Sequence, residues 1–246
     1  MRVAVVGGGR SGEAIERALK DRGADVELLS RSTGFDVLRD DPPERLREAQ
    51  VIVEATNLFT TSRKAATDFF TRSTRAIART ANASGARHIL LSIVNCDLPE
   101  VQGYGYFAGK AAQEQVARTE SRNLTIVRST QWFEFGGQNL DRMKLGPIAL
   151  VPGMTIKPVA LAAVAAVIAE SALGIRSGTT IEVSGPEVTT LWRMTMDLAD
   201  RRGIAVPLPL PLPGRLGRAF RDGALLPGSD ADVVGPQFRD WQAAAA

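Results

Sequence analysis

The chain is poor in the residues from which many catalytic sites are built. It has one cysteine, Cys96, and one histidine, His88. A single cysteine excludes an internal disulfide. One of each excludes a His/Cys metal site, which takes three or four such ligands, so no metal is expected. A Ser-His-Asp or Cys-His hydrolase would need His88 as its base. His88 stands in ARHILLS, at the entry to an apolar stretch, where a structural role is expected. Charge of one sign is also scarce: 30 basic and 27 acidic residues leave a net charge of +3, and there is no run of five basic residues. Nucleic acid is therefore not an expected partner. No stretch reaches roughly 18 consecutive apolar residues, and the opening MRVAVVGGG has too short an apolar core for a secretory signal. No membrane partner is expected either. The expectation is a cytoplasmic protein acting on a small molecule.

What is present is enough for a sizeable core: 246 residues, 44% of them hydrophobic and 23% charged. RVAVV (2–6) is a short β-branched run, read as a buried strand. Glycines follow, then SGEAIERALKDRG, where Ile15, Ala18 and Leu19 recur at helical spacing and Gly23 is a natural stop. DVELLS is a second strand, and 35–38 a possible third. PPERLREA reads as a short helix. VIVEATN, HILLSIVN and LTIVRST are further strands, separated by a helix ending at Gly85 and another over 105–119. Strands that are apolar throughout, alternating with helices, predict a parallel sheet covered on both faces. The expected fold is α/β: a Rossmann-like, doubly wound parallel sheet over 1–135. A smaller, interleaved C-terminal substrate lobe over 136–246 completes one compact unit. Within that lobe PLPLPLP (207–213) can be neither helix nor central strand, and an extended segment with its leucines packed down is expected. Trp241 is expected to dock.

GGGRSG (7–12) follows the first strand and opens the first helix, with Gly7, Gly9 and Gly12 in the three places of G-x-G-x-x-G. The first glycine makes the turn, the second admits a pyrophosphate to the backbone, and the third lets helix pack on strand. Arg10 and Ser11 complete the loop, and the helix N-terminus offers N–H groups and a positive dipole to phosphate. The second strand ends LLSRS, with Ser30 and Arg31 where an NAD site wants an acid. Arg31, with Arg10 able to reach the same place, suits a 2′-phosphate, so NADP(H) is favoured over NAD(H). Asp36 could accept from the adenine amino group, or cap a turn.

Both tyrosines lie in GYGYFAGK (103–110). Tyr106 and Lys110 are one helical turn apart and share a face. Ser92 ends the strand HILLS, and the carboxyl ends of strands line the ligand crevice of such a sheet. Lys110 could also pair with Glu114. Gly109 sits mid-helix at a cost of about 1 kcal/mol, which close approach to a cofactor would explain. STQWFEF, after the sixth strand, faces the expected substrate crevice, making Gln131, Trp132 and Phe133 candidate pocket residues, with core packing the alternative for the aromatics.

These residues, with VVGGGRSG, VIVEATN, YFAGKAAQE, LTIVRSTQWFEF, LVPGMTIKPV and IEVSGPEVTT, resemble the short-chain dehydrogenase/reductase superfamily. The closer resemblance is to its atypical, NmrA-like, NAD(P)H-binding branch. The glycine loop departs from the TGATG-like form of many relatives, the helix between the second and third strands is missing, and Asn82 does not match the superfamily's relay asparagine. The resemblance implies hydride transfer from NADPH to a small carbonyl or quinone-like substrate. Tyr106 would be proton donor, Lys110 would hold the nicotinamide ribose, and Ser92 the substrate oxygen. It also places Thr56 and Asn57 near the adenosine half. Many NmrA-like members lack the tyrosine, which this chain keeps, and do no demonstrated chemistry, so a redox-sensing protein that holds NADPH without turnover is the alternative. A sugar-nucleotide epimerase or dehydratase is the weakest expectation, because 246 residues leave little room for a large sugar-nucleotide lobe.

Overall fold

The computed structural model describes residues 1–40, 42–202 and 205–244. The first half alternates strand and helix: β1 (Arg2–Val6), α1 (Arg10–Lys20), β2 (Asp25–Leu29), α2 (Pro42–Leu46), β3 (Val51–Glu54), α3 (Arg63–Ser84), β4 (Arg87–Ile93), α4 (Gly105–Glu120) and β5 (Leu124–Ser129). The second half holds α5 (Glu134–Arg142), β6 (Lys144–Leu145), β7 (Ile148–Pro152), β8 (Thr155–Ile156), α6 (Leu161–Ala172), β9 (Thr180–Ser184), β10 (Thr189–Thr190), α7 (Leu191–Arg202), β11 (Val206–Leu210), α8 (Gly214–Arg221), β12 (Asp232–Val233) and α9 (Phe238–Ala244).

Seven strands form one sheet in the order β12-β9-β5-β4-β3-β1-β2, and every pairing in it is parallel. This is a Rossmann-like α/β fold. The chain runs from β1 outward to β2 and then returns to β3 on the other side of β1. The strand order therefore reverses between β1 and β3, and the crevice outside their carboxyl ends is where such sheets bind ligands. Side chains alternate between the faces. Val3, Val5, Val51, Val53, Ile89 and Leu91 pack with Ile15 of α1 and Ile168 of α6. Ala4, Val6 and Ile52 pack the other way, with Ile77 and Ala81 of α3. Both faces are covered, which is why these strands read as continuous apolar runs. The last two strands, β9 and β12, come from beyond residue 135, as does α6, which packs on α1.

Two local expectations are corrected. Residues 35–38 form no strand. The backbone there is spent on its own turns: Phe35 N–H donates to Ser30 O at 2.8 Å, and Arg39 and Asp40 N–H both donate to Asp36 O. Phe35 and Val37 are buried all the same, against Leu46 of α2. With 35–38 not a strand, the short α2 lies between the second and third strands, so the helix expected to be missing there is present. In 207–213 the expected packing of the leucines holds only in part: Leu210 and Leu212 are half-buried, Leu212 against the core, whereas Pro207 is buried and Leu208 is 40% exposed. β11 is the edge strand of a small sheet ordered β11-β7-β6. Its even-numbered residues turn their N–H groups toward β7, Val206 donating to Pro147 O at 2.8 Å. Pro207 and Pro209, of opposite parity, face the open edge, where no donor is needed. Trp241 docks as expected, 5.4 Å from Phe133 between ring centroids.

Candidate functional site

The crevice begins at the glycine loop. Gly7 has φ +128°, a conformation other residues rarely adopt. A Cβ on it would lie 2.4 Å from the carbonyl oxygen of Ala55, just past β3. A Cβ on Gly12 would lie 1.7 Å from the Gly7 carbonyl oxygen. These two glycines clamp α1 onto the switch point. Gly8 has its own constraint, unread in the sequence: its Cβ would fall 2.4 Å from Ser30 Oγ. Gly9 differs from all three. It caps α1 with no side-chain hydrogen bond, and a Cβ there would meet nothing within 4 Å. Its backbone thus faces open space, with Arg10 exposed and Ser11 buried beside it. This cradle fits a diphosphate.

At the end of β2, Ser30 caps a 3-10 turn over Arg31–Thr33. Its hydroxyl lies 2.7 Å from that of Ser32, a residue not singled out from the sequence. Arg31 is exposed. Asp36 takes the turn-capping role that stood as its alternative, its Oδ1 accepting from Leu38 N–H at 3.0 Å. Arg10 stands exposed at the start of α1. It acts on Glu134, at the start of α5 on the opposite wall: burial pushes the Glu134 carboxyl up, and its own backbone N–H and the Arg10 guanidinium pull it partly back. Glu134 Oε2 and Gln131 Oε1 are both buried without a hydrogen-bond partner.

The third side of the crevice is the start of α4. A Cβ on Gly105 would fall 2.3 Å from Thr61 O, so α4 begins pressed against the loop that follows β3. That contact delivers Tyr106 to the crevice. Its hydroxyl donates to Asn57 Oδ1 at 2.9 Å, two residues beyond the Ala55 carbonyl that Gly7 abuts. The ring packs among Phe59, Phe70 and Phe107. Burial raises the phenol's pKa above its ordinary value, against a downward pull from Arg142. Arg142, which the sequence reading passed over, lies 4.1 Å from the centre of the Phe59 ring.

Lys110 lies deeper, at 4% exposure. Its Nζ donates to Leu91 O at 2.8 Å and to Gln113 Oε1, and sits 5.0 Å from the centre of the Phe70 ring. The alternative pairing with Glu114 is not made. Glu114 is taken by Arg128, at 2.6 Å, and by Arg118. Thr56 is buried and donates to Glu54 Oε1 at 3.0 Å. Ser92 lies in packed interior: it is 1% exposed, and its Oγ meets Cys96 Sγ at 3.8 Å. Burial pushes the Cys96 thiol up to about 12.

Several expected roles change with these positions. Gly109 is explained by helix packing rather than by a cofactor: its Cβ would fall 2.7 Å from Ala66 Cβ and 2.8 Å from Phe70 Cδ2, both on α3. Phe133 is core, 1% exposed and packed on Phe238 and Trp241. Trp132 packs on the α1–α6 core and donates Nε1–H to Ser129 Oγ at 3.0 Å. Of the three, Gln131 keeps an unspent polar atom. Asn82 ties α3 to the end of α4, donating to Glu120 O at 2.7 Å.

The sequence reading also missed a buried polar cluster beneath this site. Glu54, at the end of β3, is 0% exposed. Its Oε1 accepts from Thr74 at 2.7 Å, Gln113 Nε2 at 2.8 Å and Thr56 at 3.0 Å, and its Oε2 lies 3.1 Å from His88 Nε2. His88 Nδ1 lies 2.8 Å from Ser121 Oγ. The strand-entry histidine is thus the partner of a buried carboxylate. The signal available was Glu54 itself, a charge inside the apolar run VIVEA.

A scan of protein-family models finds no match, and none is found among curated proteins. Solved structures do match. A hypothetical dTDP-4-dehydrorhamnose reductase from Sulfolobus tokodaii superposes with TM-score 0.71 at 16% identity, over 97% of this chain and 98% of that one. TunA, an NAD-dependent NDP-hexosamine 5,6-dehydratase of tunicamycin biosynthesis, gives 0.69 at 14% identity, over 98% of each. A dTDP-4-dehydrorhamnose reductase from Bacillus anthracis, in complex with NADP, gives 0.66 at 16% identity, over 85% of this chain and 83% of that one. The chain shares their fold. The first two are nearly coextensive with it, so its length is no argument against a sugar-nucleotide enzyme. Among the described residues no helix is long and apolar enough to cross a membrane.

Proposed function

We propose that the protein is an NADP(H)-dependent oxidoreductase that reduces a small-molecule carbonyl, with Tyr106 as proton donor. The observation that supports this reading most is the hydrogen bond from Tyr106 to Asn57 Oδ1 at the switch-point crevice. An amide oxygen is a carbonyl oxygen, so the phenol already donates to the kind of acceptor a substrate would present. When bound, the nicotinamide supplies a hydride to the carbonyl carbon. As negative charge develops on the oxygen, Tyr106 gives it the hydroxyl proton. Burial raises the phenol's pKa, which keeps it protonated at neutral pH but makes it a weaker acid, so the proton passes only as charge builds on the substrate oxygen. An ammonium has three N–H donors. Lys110 spends two on Leu91 and Gln113, leaving one for a ribose hydroxyl. The cradle at Gly9 and the N-terminus of α1 would take the diphosphate. Arg31, with the paired hydroxyls of Ser30 and Ser32, would take a 2′-phosphate, which favours NADP(H) over NAD(H). Arg10, exposed at the N-terminus of α1, would serve the diphosphate. Ser92 has no part unless its hydroxyl leaves Cys96.

The substrate is a carbonyl or quinone-like compound, and a keto-sugar nucleotide enters the same list because a neighbour of equal length is named a hypothetical dTDP-4-dehydrorhamnose reductase. A second reading, an NmrA-like NADP(H) sensor without turnover, is favoured by the interior placement of Ser92 and the deep burial of Lys110. One experiment separates them: NADPH consumption over carbonyls, quinones and dTDP-4-keto sugars by wild type and Tyr106→Phe. The expected result is turnover that falls at least about a hundredfold in the variant with NADPH affinity intact. Equal rates would remove Tyr106 from the chemistry. Tight NADPH binding with no turnover of any compound would support the sensor.

A further inference from the structure

We propose that Glu54 is a positioning residue for Lys110: through Gln113 it fixes where the ammonium points, and as a buried counter-charge it keeps that ammonium protonated. The inference rests on the reading of Lys110 as the ligand of the nicotinamide ribose.

The hydrogen-bond chain has a defined direction. An ammonium can only donate, so Gln113 turns Oε1 toward Lys110 Nζ. A carboxylate can only accept, so Gln113 turns Nε2 toward Glu54 Oε1, at 2.8 Å. The amide therefore fits one way round, between a cation and an anion, and the three side chains lock together. Glu54 is held in turn by Thr74, Thr56 and Ser73 on one oxygen and by His88 on the other. With Glu54 ionised, His88 carries its proton on Nε2, and when neutral accepts from Ser121 at Nδ1.

The charges around Lys110 single out Glu54. Glu114, on the same helix, is already engaged by Arg128 of β5 and by Arg118. Cys96, in the loop after β4, has a thiol raised to about 12 by burial and is uncharged at neutral pH. α3 offers the Phe70 ring. β4 offers His88, behind Glu54, and Tyr106 stands one turn earlier on α4. Glu54 of β3 remains as a counter-charge with no arginine paired to it among the described residues. Burial lowers the pKa of Lys110, and Glu54 opposes that. Burial would likewise raise the Glu54 carboxyl, but the His88 contact, the Thr74 hydroxyl and the Lys110 charge hold it below the usual carboxylate range. Glu54 thus supports the charge of Lys110 at a depth where burial disfavours it, while Glu54 itself is held ionised chiefly by His88.

The test is a pH titration of lysine ε-carbon NMR shifts in the nucleotide-free protein, which has five lysines to resolve. Wild type is compared with Glu54→Gln and Gln113→Met, with circular dichroism confirming that each is folded. Lys110 is expected to titrate below the other four in wild type. Its midpoint should fall by at least about one further unit in Glu54→Gln, a tenfold loss of proton affinity, and by about half a unit in Gln113→Met. NADPH affinity should then weaken with rising pH earlier in both variants than in wild type. A Lys110 midpoint unmoved in every variant that folds overturns the proposal, and Gln113→Met alone decides if Glu54→Gln does not fold. The titration uses no nucleotide and no substrate. It can therefore fail while Tyr106→Phe still abolishes turnover, or succeed when no turnover is found.

Discussion

On the β1–β2 side of the crevice the contacts that matter are backbone against backbone. On the β3–α4 side they are side chain against side chain. Gly7 and Gly12 hold the first side by leaving no room for a Cβ, and the atoms they would strike are carbonyl oxygens that cannot rotate away. The second side is held by Glu54, His88, Gln113, Thr74 and Lys110, all buried, whose hydrogen bonds satisfy one another. The two designs fail differently. A backbone contact tolerates no added atom. A closed polar cluster tolerates shape but not loss of a partner, because leaving one buried donor or acceptor unpaired costs about 1–3 kcal/mol.

The comparison is broken most severely at the glycines. Gly12→Ala is expected to weaken NADPH binding about a hundredfold, the upper end of an overpacking cost of about 1–3 kcal/mol, and to lower the melting temperature by about 4–10 °C. Gly9→Ala should leave the melting temperature unchanged, since its Cβ meets nothing within 4 Å, and still weaken the nucleotide. Fluorescence titration and thermal melts of the pair check this. If the two melt alike, the division of labour within the loop is wrong. At the end of β2, Arg31→Asp is expected to shift the NADPH-to-NADH preference about tenfold or more toward NADH, by repelling the 2′-phosphate. An unchanged ratio of dissociation constants would take Arg31 out of cofactor choice. The smallest effect belongs to Ser92. Ser92→Ala should change turnover by less than about threefold and stability by about 1 kcal/mol, the scale of one hydrogen bond. A loss as large as that of Tyr106→Phe would mean that Ser92 swings out to the substrate.

The same division governs what could be read from the residues. The glycine loop is local: its spacing, the strand before it and the helix after it are adjacent in the chain, so the turn and α1 were readable from VVGGGRSG. The face shared by Tyr106 and Lys110 is local as well, one helical turn. The cluster under Lys110 draws on β3, α3, β4 and α4, and no period or spacing links Glu54 to His88 or Gln113. Gly109 shows the same limit, because what lies opposite it is Ala66, on another helix. Phe133 and Trp132 were ambiguous for a related reason. An aromatic after a strand can line a crevice or fill a core, and which of these happens depends on where α6 and α9 come to rest.

The sequence by itself determined the parallel sheet, its covered faces, the glycine turn and the Tyr–Lys turn, because each follows from hydrophobic period or from backbone freedom within a few residues. Only the tertiary structure decided that the phenol meets Asn57, that Ser92 turns inward, and that a buried carboxylate stands behind the lysine. Those outcomes depend on which distant side chains share one low-dielectric space, where a charge persists only beside its partner.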